Sequence, residues 1–404
     1  MPTASTGNTM ARATLPDATP CTPPTLPVEI IDSILSLLFL TTKDTYYPSP
    51  HRDFARYCRV SRAWLPIAQR YLYRAPSWLH FRTYALDVRV IEPQTRRFFR
   101  ACVDSRQLAA LVEELAIHHG VLSYAECDRP EDEAWDTYES SLVRVLSLCT
   151  NLRSLRVYDA GRLNWGKVLE RSGLQRLEEL RFQPGPARLF PAWRTGLPAL
   201  KTLDVDSVFL HRQEPFPLEV PPPDLALQHL SIGPHINGYC DLRPVPSRGF
   251  EHLTSTSRST LLTLSLFLDP HFHPDLSLFS SLHTLHLFVR SKTYLLAPFS
   301  PFFANLPPSL HVLNIGYRDH DHGFDDQHRR WSIVNEPTTL SALPPTLEEV
   351  RGLPLDDDGA VSSWIQGLPP GAALRRLTMR GEYGDQLERA CRERHIELAR
   401  AWAR

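Results

Sequence analysis

From position 112 to the end, one short pattern of apolar and polar places recurs along the chain. It is a hexapeptide with apolar residues at its first, fourth and sixth places. The copies are VEELAI at 112, LRSLRV at 152, LEELRF at 177, LKTLDV at 200, LQHLSI at 227, LLTLSL at 261, LHTLHL at 282, LHVLNI at 310, LEEVRG at 347 and LRRLTM at 374. Eight of the ten carry Leu at both the first and fourth places, against roughly four such strings expected from Leu abundance alone. The fifth places read Ala116, Arg156, Arg181, Asp204, Ser231, Ser265, His286, Asn314, Arg351 and Thr378, nine polar out of ten. That alternation is what a strand needs when one face lies on a core and the other meets water. The copies start 40, 25, 23, 27, 34, 21, 28, 37 and 27 residues apart. Several intervals match the period of a solenoid built from one strand and a return segment, and the longer ones leave room for insertions. The pattern predicts an α/β fold whose strands stack as one continuous curved parallel sheet over residues 111–404. In LEEVRG, Gly352 replaces the final apolar residue, which makes this copy the least regular.

Between the strands, Trp135–Cys149 and Trp165–Leu174 have helical spacing, while PFPLEVPPPD at 215–224 predicts extended connections, in keeping with the 36 prolines. Thr95–Val103 and Gln107–Leu111 read as helices in a connecting segment, residues 76–110. GDQLERACRERHIELARAW predicts a helix through Leu387 and Cys391, then a terminal strand near Ile396–Leu398 that closes the sheet.

The amino-terminal part has a different period. Residues 1–24 are rich in Thr, Pro and Ala and predict a solvated, disordered tail. A module over residues 25–75 follows. Ile30, Ile31, Ile34, Leu35, Leu37 and Leu38 fall on one broad apolar side of a helix expected over Pro27–Leu40, with Pro27 at its start, where a missing N–H costs nothing. The polar run Thr41–Arg52 breaks it. Apolar spacing then resumes through Phe54, Cys58, Val60, Trp64, Ile67, Tyr71 and Leu72, and predicts short helices divided near Ser61 and Pro66. So small a module carries more large apolar side chains than its own core can hide.

Composition narrows the function classes. With 44 Lys and Arg against 45 Asp and Glu, the net charge is −1, so no overall field draws the chain to nucleic acid or an acidic membrane. Arg96, Arg97 and Arg100 form only a small basic cluster without an aromatic platform, and read as a solvated helix face. Seven scattered cysteines include no C-x-x-C pair and fit reduced thiols in an intracellular protein, cytoplasmic, nuclear or both. The most apolar run, Val28–Leu40, contains Glu29 and Asp32 and is too short and charged to span a bilayer. No phosphate-binding loop, nucleophile elbow or H-E-x-x-H helix is present, so the chain is read as a binding protein and not as an enzyme. Asp319, His320, Asp321, His322 and His328 are conceivable metal ligands, but adjacent loop residues rarely converge on one ion. That stretch and HFHPD at 271–275 are read as loops, with no metal and no cofactor expected.

The run L-P-x-E-I-I-x-x-I-L at Leu26–Leu35, then C-R-V-S-R-A-W at Cys58–Trp64 and Y-L-Y-R at Tyr71–Arg74, resembles an F-box. With the repeats behind it, the chain resembles F-box proteins that carry leucine-rich repeats, in the irregular form of fungal-type members. The resemblance implies a substrate adaptor of an SCF-type (Skp–cullin–F-box) ubiquitin ligase. Its helical module would dock on the Skp-type adaptor, and through it a cullin, while the repeat sheet holds a protein substrate. The positions matching the docking residues are Leu26, Pro27, Ile30, Ile31, Ile34, Leu35, Cys58, Val60, Ser61, Trp64 and Leu72. Thr41–Arg52 departs from the family's more compact pattern.

On the repeat sheet, the expected concave face offers Arg156 and Arg181, suited to an acidic or phosphorylated segment unless Glu179 neutralises them. Seventh-place Tyr158, Phe267 and Phe288 join them, with His286, as aromatic contacts. The alternative is a leucine-rich-repeat scaffold or receptor without a ubiquitin role, whose amino-terminal helices are only a cap.

Overall fold

A computed structural model describes residues 26–42, 49–76, 79–82, 93–120, 132–158, 165–182, 197–206, 224–233, 247–268, 274–289, 300–317, 343–354, 358–380 and 383–401. The chain divides into two compact units, Met1–Tyr71 and Leu72–Arg404.

In the first unit, α1 spans Val28–Thr42, α2 Ser49–Tyr57, and α3 begins at Trp64 in a helix that runs to Arg74. Pro66 does not divide α3. It lies in the first turn, where no helical partner for an N–H is needed. The start of α3 is instead set by Ser61, whose Oγ accepts the Trp64 N–H at 3.4 Å, near the limit of a useful cap. The core is small and aromatic. Ile31, Leu35 and Phe39 recur at every fourth place of α1 and are buried with Phe54, Ile67, Ala68 and Tyr71. Phe54 stacks on Tyr71 at 5.8 Å, and Phe39 meets both, at 6.2 Å and 5.6 Å. Asp32 joins the helices at the rim, accepting the Tyr71 hydroxyl at 2.8 Å and pairing with Arg70. The Tyr71 hydrogen bond, followed by Arg70, holds its carboxyl below the usual range.

Among the described residues, the second unit contains a single twelve-stranded sheet in which sequence order is spatial order and every neighbouring pair is parallel. The strands are β1 Leu79–Arg82, β2 Glu114–Gly120, β3 Ser154–Tyr158, β4 Glu179–Phe182, β5 Thr202–Asp206, β6 His229–Gly233, β7 Thr263–Leu268, β8 Thr284–Val289, β9 Val312–Tyr317, β10 Glu349–Pro354, β11 Arg376–Arg380 and β12 Glu397–Ala401. All ten hexapeptides form strands, and the terminal strand expected near Ile396 is β12.

The register runs through the fourth place. Leu115, Leu155, Leu180, Leu203, Leu230, Leu264, Leu285, Leu313, Val350 and Leu377 stand side by side across ten strands, each at most 1% exposed. First- and sixth-place residues are buried in the same core. In the first nine copies the second-place carbonyl accepts two N–H groups from the next copy, as Glu113 O does from Arg153 at 2.7 Å and Ser154 at 3.1 Å, which fixes the stacking without side chains.

Between the strands lie α4 Pro93–Asp104, α5 Arg106–Ala109, α6 Asp132–Leu148, α7 Trp165–Ser172, α8 Ser247–Thr254, α9 Ser300–Ala304, α10 Asp358–Gly367 and α11 Asp385–Glu393. Their apolar residues, including Phe98, Leu142, Trp165 and Phe250, share the core of the sheet. Trp165 meets Phe182 edge-on at 5.6 Å. The helices therefore cover the face bearing the fourth and sixth places, and the fifth-place residues line the other face.

Gly352 explains the irregular ninth copy. Its φ is +77°, and the register between β10 and β11 slips there, from Arg351 opposite Thr378 to Leu353 opposite Met379. The glycine is the extra residue of a bulge, and Leu353, 1% exposed, takes the sixth-place slot.

Candidate functional site

Two surfaces carry the residues singled out in the sequence. On the first unit, α1 presents a second apolar stripe beside its buried one. Ile30 is 46% exposed and Ile34 39%, with Leu37 and Leu38 exposed at the following turn. Leu26 at 48%, Val28, Leu40, Val60 at 58% and Leu65 are also exposed. Nine of the eleven exposed large apolar residues found among the described residues fall within positions 26–65, so the surface is concentrated and not scattered.

The expected docking set separates into surface, core and scaffold. Leu26, Pro27, Ile30, Ile34 and Val60 are exposed. Ile31 and Leu35 are not available for docking: at 1% and 0% exposure they are the inward stripe of α1. Ser61 acts within the unit through its contact to the start of α3. Trp64 is half-buried against Tyr57, ring centres 6.0 Å apart. Cys58 is half-buried, and burial raises its thiol pKa. Leu72, also half-buried, belongs to the second unit. Val28, Leu37, Leu38, Leu40 and Leu65 were missed, although the spacing 30, 34, 37, 38 is itself a helical stripe.

On the sheet, Arg156 and Arg181 do lie side by side, paired in register on β3 and β4. Glu179 sits with both. It accepts Ser154 Oγ at 2.8 Å, binds Arg181 Nε and lies 3.7 Å from a terminal nitrogen of Arg156. Burial pushes its carboxyl up, but Ser154 and the two guanidiniums together hold it below its usual value. Arg156 Nε is buried without a hydrogen-bond partner among the described residues. A matching network occupies β10 to β12. Arg376 is bidentate to Glu397 at 3.1 Å and 3.0 Å, and Arg351 binds Glu349 at 2.7 Å.

β5 carries Asp204 at its fifth place, and beyond it, on β6 to β9, no third-, fifth- or seventh-place residue is Asp, Glu, Lys or Arg. His286 Nδ1 accepts Asn314 Nδ2 at 3.2 Å, and burial, with the charge of Arg351, lowers its pKa. Phe288 is half-buried and registers opposite Phe267 on one side and Gly316 on the other. A Cβ on Gly316 would stand 2.9 Å from Phe288 Cδ1, so the ring rests where only glycine leaves room. Tyr158 and Phe267 are placed by backbone register alone.

Among the described residues no group of three or more His, Cys, Asp or Glu is placed to hold a metal ion. Residues 318–342, which include the His- and Asp-rich stretch, and most of 215–224 lie outside the described residues. Cys149 is buried against Cys102, and that hydrogen bond, with burial, raises its pKa far out of the physiological range; burial lifts Cys391 to about 11. Such thiols stay protonated and are poor nucleophiles. Arg97 is exposed and Arg100 pairs with Asp104 at 3.6 Å. Among the described residues no helix is long and apolar enough to cross a membrane.

No protein-family model matches the chain, and no curated protein matches it. Among solved structures it is similar to a chain of the crystal structure of the Rad7 and Elc1 complex in yeast, with 14% identity and a TM-score of 0.36 over 92% of each chain. A likeness at that level assigns neither family nor function.

Proposed function

We propose that the chain is a recruiting adaptor of a cullin-type ubiquitin ligase, with no active site of its own. The first unit docks on a Skp-type adaptor, and the polar face of the sheet holds a protein target in the cytoplasm or nucleus. The observation that carries the reading is the set of exposed apolar residues Leu26, Ile30, Ile34 and Val60 on a unit whose own aromatic core is already closed. Covering the remaining exposed part of each such side chain contributes roughly 1 kcal/mol, so four supply about 4 kcal/mol before association costs. That is a sizeable share of a docking interface, to be completed by polar contacts.

The test is binding of the purified full chain to a Skp-type adaptor, followed by titration calorimetry. A one-to-one complex is expected, weakened at least tenfold by Ile30→Asp with Ile34→Asp and unchanged by Leu262→Asp, an exposed leucine outside the stripe. Absence of a complex with the folded wild-type chain would leave a repeat scaffold without a ubiquitin role.

A further inference from the structure

The polar face of the sheet is chemically divided. Six of the eight third- and fifth-place residues on β3, β4, β10 and β11 are charged, namely Arg156, Glu179, Arg181, Glu349, Arg351 and Arg376. On β6 to β9 no third-, fifth- or seventh-place residue is Asp, Glu, Lys or Arg. Depletion of charged residues is what marks the core of a protein interface against the rest of a surface.

A partner meeting either charged network must compete with bonds already made, because Glu179 is held by Ser154 and Arg181, and Arg376 by Glu397. The central strip exacts no such penalty. Its hydroxyls, Ser231 and Ser265, are paired in register and both donate and accept. His286, accepting from Asn314 through Nδ1, presents a neutral ring. Phe288 supplies an apolar surface at its edge, held over Gly316. A charged group laid on the middle of this strip would exchange water for neutral partners, since the in-register charges, Asp204 beside Ser231 and Arg351 beside Asn314, stand at its two borders.

We propose that β6 to β9 form the docking strip for an uncharged segment of a partner polypeptide, anchored by an aromatic or large aliphatic side chain packed on Phe288. Four strands at about 4.8 Å spacing span roughly 15 Å, the length of four or five extended residues. The inference rests on the adaptor reading only in that the sheet holds a protein. Of the concave-face residues expected from the sequence it keeps His286 and Phe288 and leaves out Arg156 and Arg181, which lie on the far side of β5.

The experiment is selection of the full chain against a displayed library of random dodecapeptides, with a second library in which each peptide bears one phosphoserine. Enrichment of peptides with a neutral run of four or five residues around Phe, Tyr, Trp or Leu is expected. Selected peptides should lose at least tenfold in affinity with both Ser265→Glu and Ser265→Arg, and change less than twofold with Arg156→Ala and Arg181→Ala together. Thermal unfolding checks each variant, and Ser231→Glu replaces any Ser265 variant that does not fold. Enrichment of acidic or phosphorylated peptides, gain of affinity on Ser265→Arg, or no enrichment overturns the proposal. Binding to the Skp-type adaptor is measured on the same preparations. Peptide selection without adaptor binding refutes the ubiquitin reading alone, and adaptor binding without peptide selection refutes this inference alone.

Discussion

Gly352 gives the sharpest test of how the sheet is built. Its φ of +77° is a conformation in which a side chain costs about 1–2 kcal/mol. In addition, a Cβ there would stand 2.2 Å from the carbonyl oxygen of Ile315 on β9. Real contacts of this kind begin near 3 Å, so Gly352→Ala must push β10 from β9 by most of an ångström or break the bulge. Overpacking against rigid backbone adds about 1–3 kcal/mol, for a total of about 2–5 kcal/mol. Gly371 supplies the control: its φ is +83°, but nothing among the described residues lies within 4 Å of its Cβ position. Gly371→Ala should therefore show the conformational cost alone, about 1–2 kcal/mol. Both variants are compared with wild type by urea unfolding followed by circular dichroism, with the slope checked for constancy because repeat arrays can lose cooperativity. Equal losses for the two variants would mean that the close approach to Ile315 is not there, and that Leu353 reaches the sixth-place slot by some other route.

Two further outcomes follow from the same reasoning. At the end of α11, Ile396 N–H donates to Cys391 O at 2.8 Å and His395 N–H to Arg392 O at 3.2 Å, a paired C-terminal cap that puts His395 at a φ of 57°. His395→Gly should raise stability by about 0.5–1 kcal/mol, read as a higher urea midpoint; a lower midpoint would mean the imidazole makes a contact that outweighs the strained backbone. Acid sensitivity is the second. Glu179 and Glu349 both titrate below their ordinary value of 4.5 in the folded chain, so their contribution is full above pH 4.5 and is lost as pH falls through the depressed values. His286, held below its ordinary 6.5, favours the neutral ring, so its contribution is full above pH 6.5 and is also lost on acidification. The double variant Glu179→Gln, Glu349→Gln should flatten the fall in urea midpoint between pH 4.5 and 3 and leave the change just below pH 6.5 intact. A fall below pH 4.5 as steep as that of wild type would show that these carboxylates are not what the folded state holds deprotonated.

The sheet was legible because its defining signal is local and repeated. Burial at the fourth and sixth places, with a polar residue between, is set by strand geometry within six residues, and ten copies leave little to tertiary context. What escaped the sequence depended on neighbours far along the chain. LHFR at β1 has only four residues and no hexapeptide frame; its pairing of Leu79 with Ile117 spans 38 positions and leaves no periodic trace. The glycine that weakened the ninth copy on paper strengthens its assignment in three dimensions, since a bulge is how a strand one residue out of phase returns Leu353 to the core. The first unit shows the opposite limit. The run of apolar residues on α1 predicted one broad apolar side but not which part of it the helix keeps, because that is decided by Phe54 and Tyr71, between 19 and 40 residues from Ile31 and Leu35. Once those rings claim Ile31 and Leu35, the neighbouring stripe at Ile30 and Ile34 is what a partner can reach. On the proposed reading, the residues that carry the resemblance therefore divide into those that build the unit and those left exposed for a partner.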